Sequence, residues 1–315
     1  MTVGVSEDVS ECPVSKRWLV RERGFHIFYR LTTPPVSPAS VPPRGVILML
    51  HGMAGHSGRF TRAAQFFASQ GLVCVALDQR GHGRTWDANR DTYPNVLDPG
   101  PLGWPGLVHD AMAVLDEALD ILDCHDLPLY LIGHSQGSVV AQCLLLSPSG
   151  AAFTAAILTG YEWLCSKADI VHEHIVLDEY GVDAITRQNP VAPVRHFHNL
   201  LAMVSHCMDT ESASAIPHAQ RTPTLYLSGA DDSAGAFGVN VTRQHDFMHR
   251  QGWPVEMSLI EGMRHSVWLY GDDRVHQSSL DFLTRERHTK PKGVVVGDVP
   301  VVVAVKQRMG VDSAR

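Results

Sequence analysis

Several features that would assign the chain to a membrane, to nucleic acid or to a secretory route are missing from its 315 residues. No apolar run approaches the roughly 18 residues of a membrane-spanning helix; the most apolar stretch near the C-terminus, VVVGDVPVVVAV, is interrupted by Asp298 and Pro300. There is no run of lysines and arginines and the net charge is −7, so we expect no nucleic-acid partner. The first residues are acidic and polar where a signal peptide is basic and then apolar, which predicts a cytoplasmic protein.

The six cysteines give no indication of disulfides or zinc. They are scattered without a C-x-x-C pair, and Cys74 lies within the apolar run LVCVALD, so we interpret them as small buried hydrophobes. Two H-x-H pairs, His172 with His174 and His196 with His198, lie in helix-like segments. Residues two apart on a helix point to different sides, and we therefore expect no metal.

From residue 45 onward, short apolar runs alternate with amphipathic segments, which predicts a mostly parallel sheet flanked by helices on both faces. Before them, RWLVRERGFHIFYRL has the pattern of an antiparallel hairpin that turns at Gly24. The predicted strands of the parallel part are residues 45–50, 72–78, 127–133, 151–160, 222–229 and 254–262.

The interval between Gly160 and Thr222 breaks this rhythm, because it has helix-like segments but no strand pattern. Long intervals of this kind in a compact domain usually carry their own structure or a function. We expect a helical cap inserted over one end of the sheet. The predicted division is a core of 17–160 and 222–287, a cap of 161–221, and loosely attached termini of 1–16 and 288–315.

The segment GHSQG, residues 133–137, joins a predicted strand to a predicted helix. It fits the G-x-S-x-G pattern, in which a tight turn raises a nucleophilic serine, here Ser135, above a sheet. Side chains at the two glycine positions would collide with the neighbouring elements. The alternative is a serine that only caps a helix. A nucleophilic serine needs a base, and the base needs an acid that orients it, so the rest of the chain decides.

An acid and a base follow in the order that this architecture requires. Asp231 and Asp232 come directly after the strand that ends at Gly229, where the loops of such a sheet face a ligand. His265 lies in the loop after the last strand. Among 18 histidines, one late in the chain means little by itself. Its place in the required loop favours a catalytic base over a surface histidine.

The loop after the first parallel strand, HGMAGHSGRF, completes the predicted site. Its turn allows the backbone N–H of Met53 to face an oxyanion together with the N–H of Gln136, the residue after the serine. His51, His82 and Arg80 lie in glycine turns nearby. We interpret these three as residues that hold the turns by hydrogen bonds rather than as proton carriers.

These segments together resemble the α/β-hydrolase superfamily, in the branch of monoacylglycerol lipases, lysophospholipases and serine-aminopeptidase-like hydrolases. HGMAGHSGRF is similar to that branch's HG-x-x-x-HS-x-R-[FY], and DQRGHGRT to its D-x-RGHG-x-[ST]. GHSQGS resembles GHS-x-GG, with Ser138 in place of the last glycine. SGADDSAGAFG resembles a pattern that places the acid at Asp232 rather than Asp231, and EGMRHSV resembles G-x-RHE with Ser266 replacing the glutamate.

The resemblance, which covers about residues 17 to 287, implies an α/β-hydrolase fold with Ser135 as nucleophile, His265 as base and Asp232 as acid. It implies a small-molecule ester substrate with a medium-to-long acyl chain, and neither cofactor nor metal. The same apparatus also cleaves thioesters, amides and carbon–carbon bonds, performs perhydrolysis, or survives in a binding or receptor protein. Apolar cap residues are expected to line the acyl pocket, among them Trp163, Leu164, Ile170 and Met203.

Overall fold

The structure is a computed structural model that describes residues 12–35, 42–161, 194–269 and 272–286. Its strands are β1 (Val14–Val20), β2 (His26–Thr32), β3 (Val46–Leu50), β4 (Val73–Leu77), β5 (Leu129–His134), β6 (Phe153–Thr159), β7 (Thr224–Gly229) and β8 (Val255–Ile260). They form one sheet in the order β1-β2-β4-β3-β5-β6-β7-β8. The β1–β2 and β2–β4 pairs are antiparallel and the others parallel. The predicted hairpin and mostly parallel sheet are therefore confirmed.

Helices cover both faces of this sheet. Those described are α1 (Thr61–Ser69), α2 (Gly83–Asn89), α3 (Gly103–Leu122), α4 (Gln136–Leu145), α5 (Val194–Cys207), α6 (Thr210–Ala215), α7 (Val239–Arg250) and α8 (Asp273–Glu286). Side chains of α1 and α8 pack on one face of the sheet, and side chains of α3, α4, α5 and α7 pack on the other. None of these helices is both long and apolar enough to cross a membrane.

The alternation of side chains along β3 explains why its sequence is apolar throughout. Ile47 and Met49 belong to the core shared with α1 and α8, whereas Val46, Leu48 and Leu50 belong to the opposite core. Successive residues of a strand point to opposite faces, so a strand covered by helices on both sides needs apolar residues at every position. The parallel pairing of β3 to β8 brings the carboxyl ends of these strands to one end of the sheet.

Two helices and one strand differ from the prediction. The sequence analysis assigned no helix to α2 or to α8, since α8 buries His276 and Ser279 on its inner face and these polar residues obscure its apolar period. The run that forms β8 is not buried on both faces, because Met257 and Leu259 are exposed. β8 is the last strand of the described sheet and has a neighbouring strand on one side only.

The described part of the predicted cap packs on the body of the protein. α5 lies against α4 and α3, and Leu200 and Met203 of α5 are buried in the core on that side of the sheet. Residues 162–193 lie outside the described residues. The division into core and cap therefore stays a prediction. The described C-terminal part of the predicted cap contributes side chains to the main core.

The described cysteines are buried free thiols, in agreement with their interpretation as small hydrophobes: Cys12, Cys74, Cys124, Cys143 and Cys207. The thiols of Cys143 in α4 and Cys207 in α5 are hydrogen-bonded, with their sulfur atoms 3.5 Å apart, and do not form a disulfide. Burial raises the pKa of the Cys143 thiol, which keeps it protonated. Cys165 lies outside the described residues.

A buried ion pair attaches the turn after β4 to α3. The guanidinium of Arg80 donates two hydrogen bonds to the carboxylate of Asp110, the one from Nη2 at 3.0 Å, and lies 4.0 Å from the centre of the Phe25 ring. Burial raises the pKa of Asp110, and the bonds from Arg80 oppose that shift. Loss of either partner would leave a charge buried without its counterion.

Replacing Asp110 with alanine should therefore destabilise the fold strongly. We expect Asp110→Ala to lower the free energy of unfolding by about 3–5 kcal/mol, as measured by urea denaturation at neutral pH. Asp87→Ala is the matched control, since Asp87 pairs with Arg90 at 2.9 Å on the exposed surface. That control should cost less than about 1 kcal/mol. Equal losses in the two variants would contradict this account of the buried pair.

Candidate active site

Ser135 lies in a sharp turn between the end of β5 and the start of α4. Its backbone has φ 55° and ψ −124°, which residues other than glycine rarely adopt. The Ser135 N–H donates to the carbonyl of Thr159 at 2.8 Å, and the side chain is almost fully buried. Strained backbone of this kind persists only where neighbouring bonds hold it, and here the adjacent strand β6 supplies one.

The glycine two residues after the serine is required by the close approach of β3. A Cβ atom at Gly137 would overlap the carbonyl oxygen of Leu50 at the end of that strand. No side chain fits there without moving the helix away from the sheet. The physical reason given by the sequence for this glycine therefore holds.

Asp232 lies in the loop after β7 and is fully buried. Its carboxylate accepts bonds from the N–H of Gly235 at 2.8 Å and from the hydroxyl of Ser228 at 3.2 Å. Burial acts to raise its pKa, but the neighbouring His265 and the N–H of Gly235 together hold the pKa below the ordinary value of a carboxyl group. Asp232 is therefore an anion at neutral pH. The adjacent Asp231 is exposed.

The loop after β8 brings His265 to this carboxylate. The Nδ1 atom of His265 lies 2.9 Å from Oδ2 and 3.0 Å from Oδ1 of Asp232. An ionised carboxylate can only accept, so Nδ1 carries the proton and Nε2 is the basic nitrogen. Of the two adjacent aspartates, the structure brings Asp232 and not Asp231 to the histidine.

The loop after β3 lies directly against the serine. A Cβ atom on Gly52 would be 2.8 Å from the Cβ of Ser135 and 3.2 Å from its Oγ. Met53 is the next residue, and Gln136 is the first residue of α4. The first N–H groups of a helix have no partner within it and carry its positive end. These two backbone positions thus flank Ser135, and their role in binding an oxyanion stays a prediction.

Met53 also contacts an apolar cluster and α5. The Nε2 atom of His196 lies 3.0 Å from the Met53 sulfur, and its Nδ1 lies 2.9 Å from the carbonyl of Leu97. Met53 packs on a small apolar cluster beside this loop, consisting of Ala54, Trp86, Val96 and Leu97. For the H-x-H pair of His196 the sequence predicts a solvated polar helix face rather than a metal site, and for His196 this is wrong, because its side chain is buried and links α5 to the loop beside Ser135.

The glycine turns near the site are held by neutral histidines. His51 Nδ1 lies 2.8 Å from the Gly52 carbonyl, and its Nε2 accepts from the N–H of Gln79 at 3.0 Å. Burial lowers the pKa of His51 to about 3. His82 Nδ1 lies 2.8 Å from the carbonyl of Arg80, and burial lowers the pKa of His82 as well. These bonds support the interpretation that His51, His82 and Arg80 hold the turns.

Three of the four predicted substrate-binding residues of the cap, Trp163, Leu164 and Ile170, lie outside the described residues. Met203 is described and is only 1% exposed, within the core. That burial favours a packing role, and its place in the substrate site stays a prediction. The described residues contain no group of three or more His, Cys, Asp or Glu side chains able to hold a metal ion.

Three residues beside the serine and histidine were not singled out from the sequence as part of the site. The ring of His134 lies 4.9 Å from that of His265, Thr159 is hydrogen-bonded to Ser135, and Trp268 follows His265 by three residues. The one available signal for Thr159 was its position at the carboxyl end of a parallel strand, where site residues gather. Local sequence carries no sign that these three meet.

Parts of the chain are similar in sequence to known hydrolases. Residues 41–161 match the family model described as serine aminopeptidase, S33. A stretch of 114 residues, 36% of this chain, is 45% identical to a monoacylglycerol lipase of Mycolicibacterium smegmatis. That stretch covers 35% of the relative, so the chain matches about a third of the length of this curated relative.

Solved structures resemble most of the chain at low sequence identity. A thermostable carboxyl esterase from Bacillus coagulans superimposes with a TM-score of 0.69 at 21% identity, over 87% of this chain and 99% of the other. A peroxisomal alpha-beta-hydrolase of Saccharomyces cerevisiae superimposes with a TM-score of 0.63 at 15% identity, over 93% and 94% of the two chains. At such identities the likeness concerns the fold.

The choice between the two aspartates is open to a direct test. We expect Asp232→Asn to lower kcat of ester hydrolysis by about 10⁴-fold, because an amide facing Nδ1 favours the wrong tautomer of the imidazole. The matched control is Asp231→Asn, which alters an exposed neighbour and should leave kcat close to wild type. A large loss in the control with little loss in Asp232→Asn would move the acid by one residue.

Proposed function

Since the chain has the α/β-hydrolase fold and resembles the monoacylglycerol lipase branch of that superfamily, we propose that it is a serine hydrolase that cleaves carboxylic esters. The substrate class is a monoacylglycerol-like or lysophospholipid-like ester with a medium-to-long acyl chain. Ser135 is the nucleophile, His265 the general base and Asp232 the acid that orients it. The N–H groups of Met53 and Gln136 bind the oxyanion.

The observation that carries this proposal is the buried bond between His265 Nδ1 and Asp232, on a loop next to the strained serine. The bond leaves Nε2 as the proton acceptor, and a base so oriented is what a serine hydroxyl needs to attack at neutral pH. A serine that only caps a helix would need neither a buried acid nor a strained backbone.

The reaction proceeds through two transfers of the acyl group. Nε2 of His265 takes the proton of the Ser135 hydroxyl as its oxygen bonds to the ester carbonyl carbon, and negative charge develops on the carbonyl oxygen. The intermediate collapses, the bond to the alcohol breaks, and His265 gives its proton to the leaving alcohol. Water then attacks the acyl-serine while His265 accepts its proton. The bond to the Ser135 oxygen breaks as His265 returns that proton to it, which releases the carboxylic acid and restores the Ser135 hydroxyl.

Electrostatics around the imidazole favour its transient positive charge. Asp232 remains ionised because its pKa lies below the ordinary value, so it faces the imidazolium with a full negative charge. His134, whose ring lies 4.9 Å from that of His265, stays neutral since burial, followed by the charge of His265, lowers its pKa. The negative charge of Asp232 therefore stabilises the imidazolium of His265, and the neutral ring of His134 does not repel it.

The apolar surroundings of Met53 support an acyl substrate. Trp86, Val96 and Leu97 form an apolar cluster with Ala54 immediately beside the proposed oxyanion loop. In this proposal the cap, residues 161–221, contributes further apolar contacts through Trp163, Leu164 and Ile170. The lipase activity named for the Mycolicibacterium relative belongs to that protein and is consistent with the proposal.

Removal of the nucleophile tests the reaction type. Ser135→Ala should fold as the wild type does and lower kcat for p-nitrophenyl esters by about 10⁴-fold or more. The control is Ser147→Ala, beyond the other end of α4, whose hydroxyl donates to the Leu144 carbonyl at 2.7 Å. Turnover by Ser135→Ala within about tenfold of wild type would exclude the serine mechanism.

A series of esters from acetate to octanoate tests the substrate class. Each methylene buried in an apolar pocket contributes about 0.8 kcal/mol, or about fourfold in rate, when it is fully desolvated in the transition state. We therefore expect kcat/KM to rise along the series. A flat or falling series would exclude the acyl pocket and favour small polar esters, while leaving the serine mechanism in place.

A further inference from the structure

The hydroxyl of Thr159, at the carboxyl end of β6, bridges the strand that carries the nucleophile and the loop that carries the base. Its Oγ1 accepts the indole N–H of Trp268 at 2.8 Å, and it lies 3.1 Å from His134 Nδ1 and 3.2 Å from the Gly133 carbonyl. Thr159 is fully buried, so water does not compete for these bonds. The four groups come from three separate segments of the chain.

The carbonyl of the same residue holds the serine turn. It accepts the N–H of Ser135 at 2.8 Å and the hydroxyl of Ser138 at 2.7 Å. Ser138 lies where the similar α/β-hydrolase branch has a glycine, which has no hydroxyl to donate to the Thr159 carbonyl. The second bond therefore reinforces, in this chain, the attachment of the strained turn to β6.

Gly160, the residue after Thr159, provides the space into which both imidazoles fit. Its φ is +55°, and a Cβ atom there would lie 3.0 Å from Cε1 and Nδ1 of His265 and 3.1 Å from Cε1 of His134. The two rings thus rest against the backbone of this one residue. The end of β6 is in contact with the serine turn on one side and with the histidine loop on the other.

We propose that Thr159 is a positioning residue that sets the location of His265 relative to Ser135, an inference that rests on the proposed function. Its carbonyl fixes the serine turn, and its hydroxyl fixes Trp268 and so the loop of His265. Trp268 follows His265 by three residues and is buried and stacked on His276, with ring centroids 6.1 Å apart and planes at 17°, so the position of its indole constrains the backbone that carries His265.

The expected consequence is a loss of rate without a loss of binding. The side chain of Thr159 is fully buried beneath the surface of the site, so removal of its hydroxyl should leave KM unchanged. A misplacement of the base by about 1 Å costs about 10²-fold in rate. A residue that only stabilised the fold would lower the amount of folded enzyme and leave kcat per folded molecule unchanged.

The test compares kcat and KM for a p-nitrophenyl ester, per folded molecule, in three full-length variants. Thr159→Val removes the hydroxyl and keeps the shape, Thr159→Ser keeps the hydroxyl, and Thr154→Val makes the same change at another buried threonine of β6. We expect kcat to fall about 10²-fold in Thr159→Val, and to remain near wild type in Thr159→Ser and Thr154→Val, with KM constant throughout.

A second pair of variants covers the case in which Thr159→Val does not fold. Trp268→Phe removes the indole N–H from Thr159, whereas Trp253→Phe removes an equally buried indole N–H that bonds to the Ala213 carbonyl at 3.0 Å. We expect a lower kcat in Trp268→Phe only. Equal kcat in these two variants would overturn the proposal.

Other outcomes are equally decisive. Thr159→Val with the kcat of Thr154→Val, or a loss in Thr159→Ser as large as that in Thr159→Val, would overturn the role of the hydroxyl. A rise in KM at constant kcat would make Thr159 a determinant of the pocket instead. A wild-type protein without esterase activity would overturn the proposed function and this inference together, whereas a Thr159→Val variant with the kcat of an active wild type would overturn this inference alone.

Discussion

The hydrogen bond between His265 Nδ1 and the buried carboxylate of Asp232 is the interaction on which the site depends, because it determines which imidazole nitrogen is basic. For this bond to form, the loops after β7 and β8 must meet, and Asp232 must remain charged although it is buried. Gly235 and Ser228 donate to the carboxylate and offset the cost of its burial. The bond between Asp232 and His265 therefore forms only when the strands and loops around it are folded.

The topology of the sheet brings the loops of the site together. Loops from the carboxyl ends of β3, β5, β7 and β8 contribute Met53, Ser135, Asp232 and His265, and parallel strands bring such ends together at one edge. The end of β6 lies between them and contacts both the serine turn and the histidine ring. Distances within the site are thus set by backbone hydrogen bonds and buried side chains rather than by exposed loops.

What the sequence could predict followed from local patterns with a physical meaning. Apolar runs at every position of β3 and β5 indicated strands covered on both faces, and the glycines around Ser135 indicated the close approach of other backbones. The assignment of Asp232 rather than Asp231 came from a family pattern, and the structure gives its reason, since only Asp232 is buried against His265.

What the sequence could not predict depends on contacts between distant segments. The meeting of Thr159 with Trp268 joins residues 109 positions apart, and no local period records it. The inner face of α8 hides its helical pattern because His276 and Ser279 are buried there, and β8 is exposed because only one strand pairs with it. Met203 was predicted near the substrate from its apolar character, but such character is shared by residues that only pack, and its burial favours packing.

The central claim is that Ser135 is a nucleophile activated by its surroundings, and covalent labelling tests it most directly. The native protein is treated with a fluorophosphonate at neutral pH, digested, and its peptides are mapped by mass spectrometry. We expect one phosphonyl adduct per molecule, located on Ser135, and no adduct when the protein is unfolded before treatment, since an isolated serine hydroxyl is a poor nucleophile. An unlabelled native protein, or an adduct on another residue, would contradict the central claim.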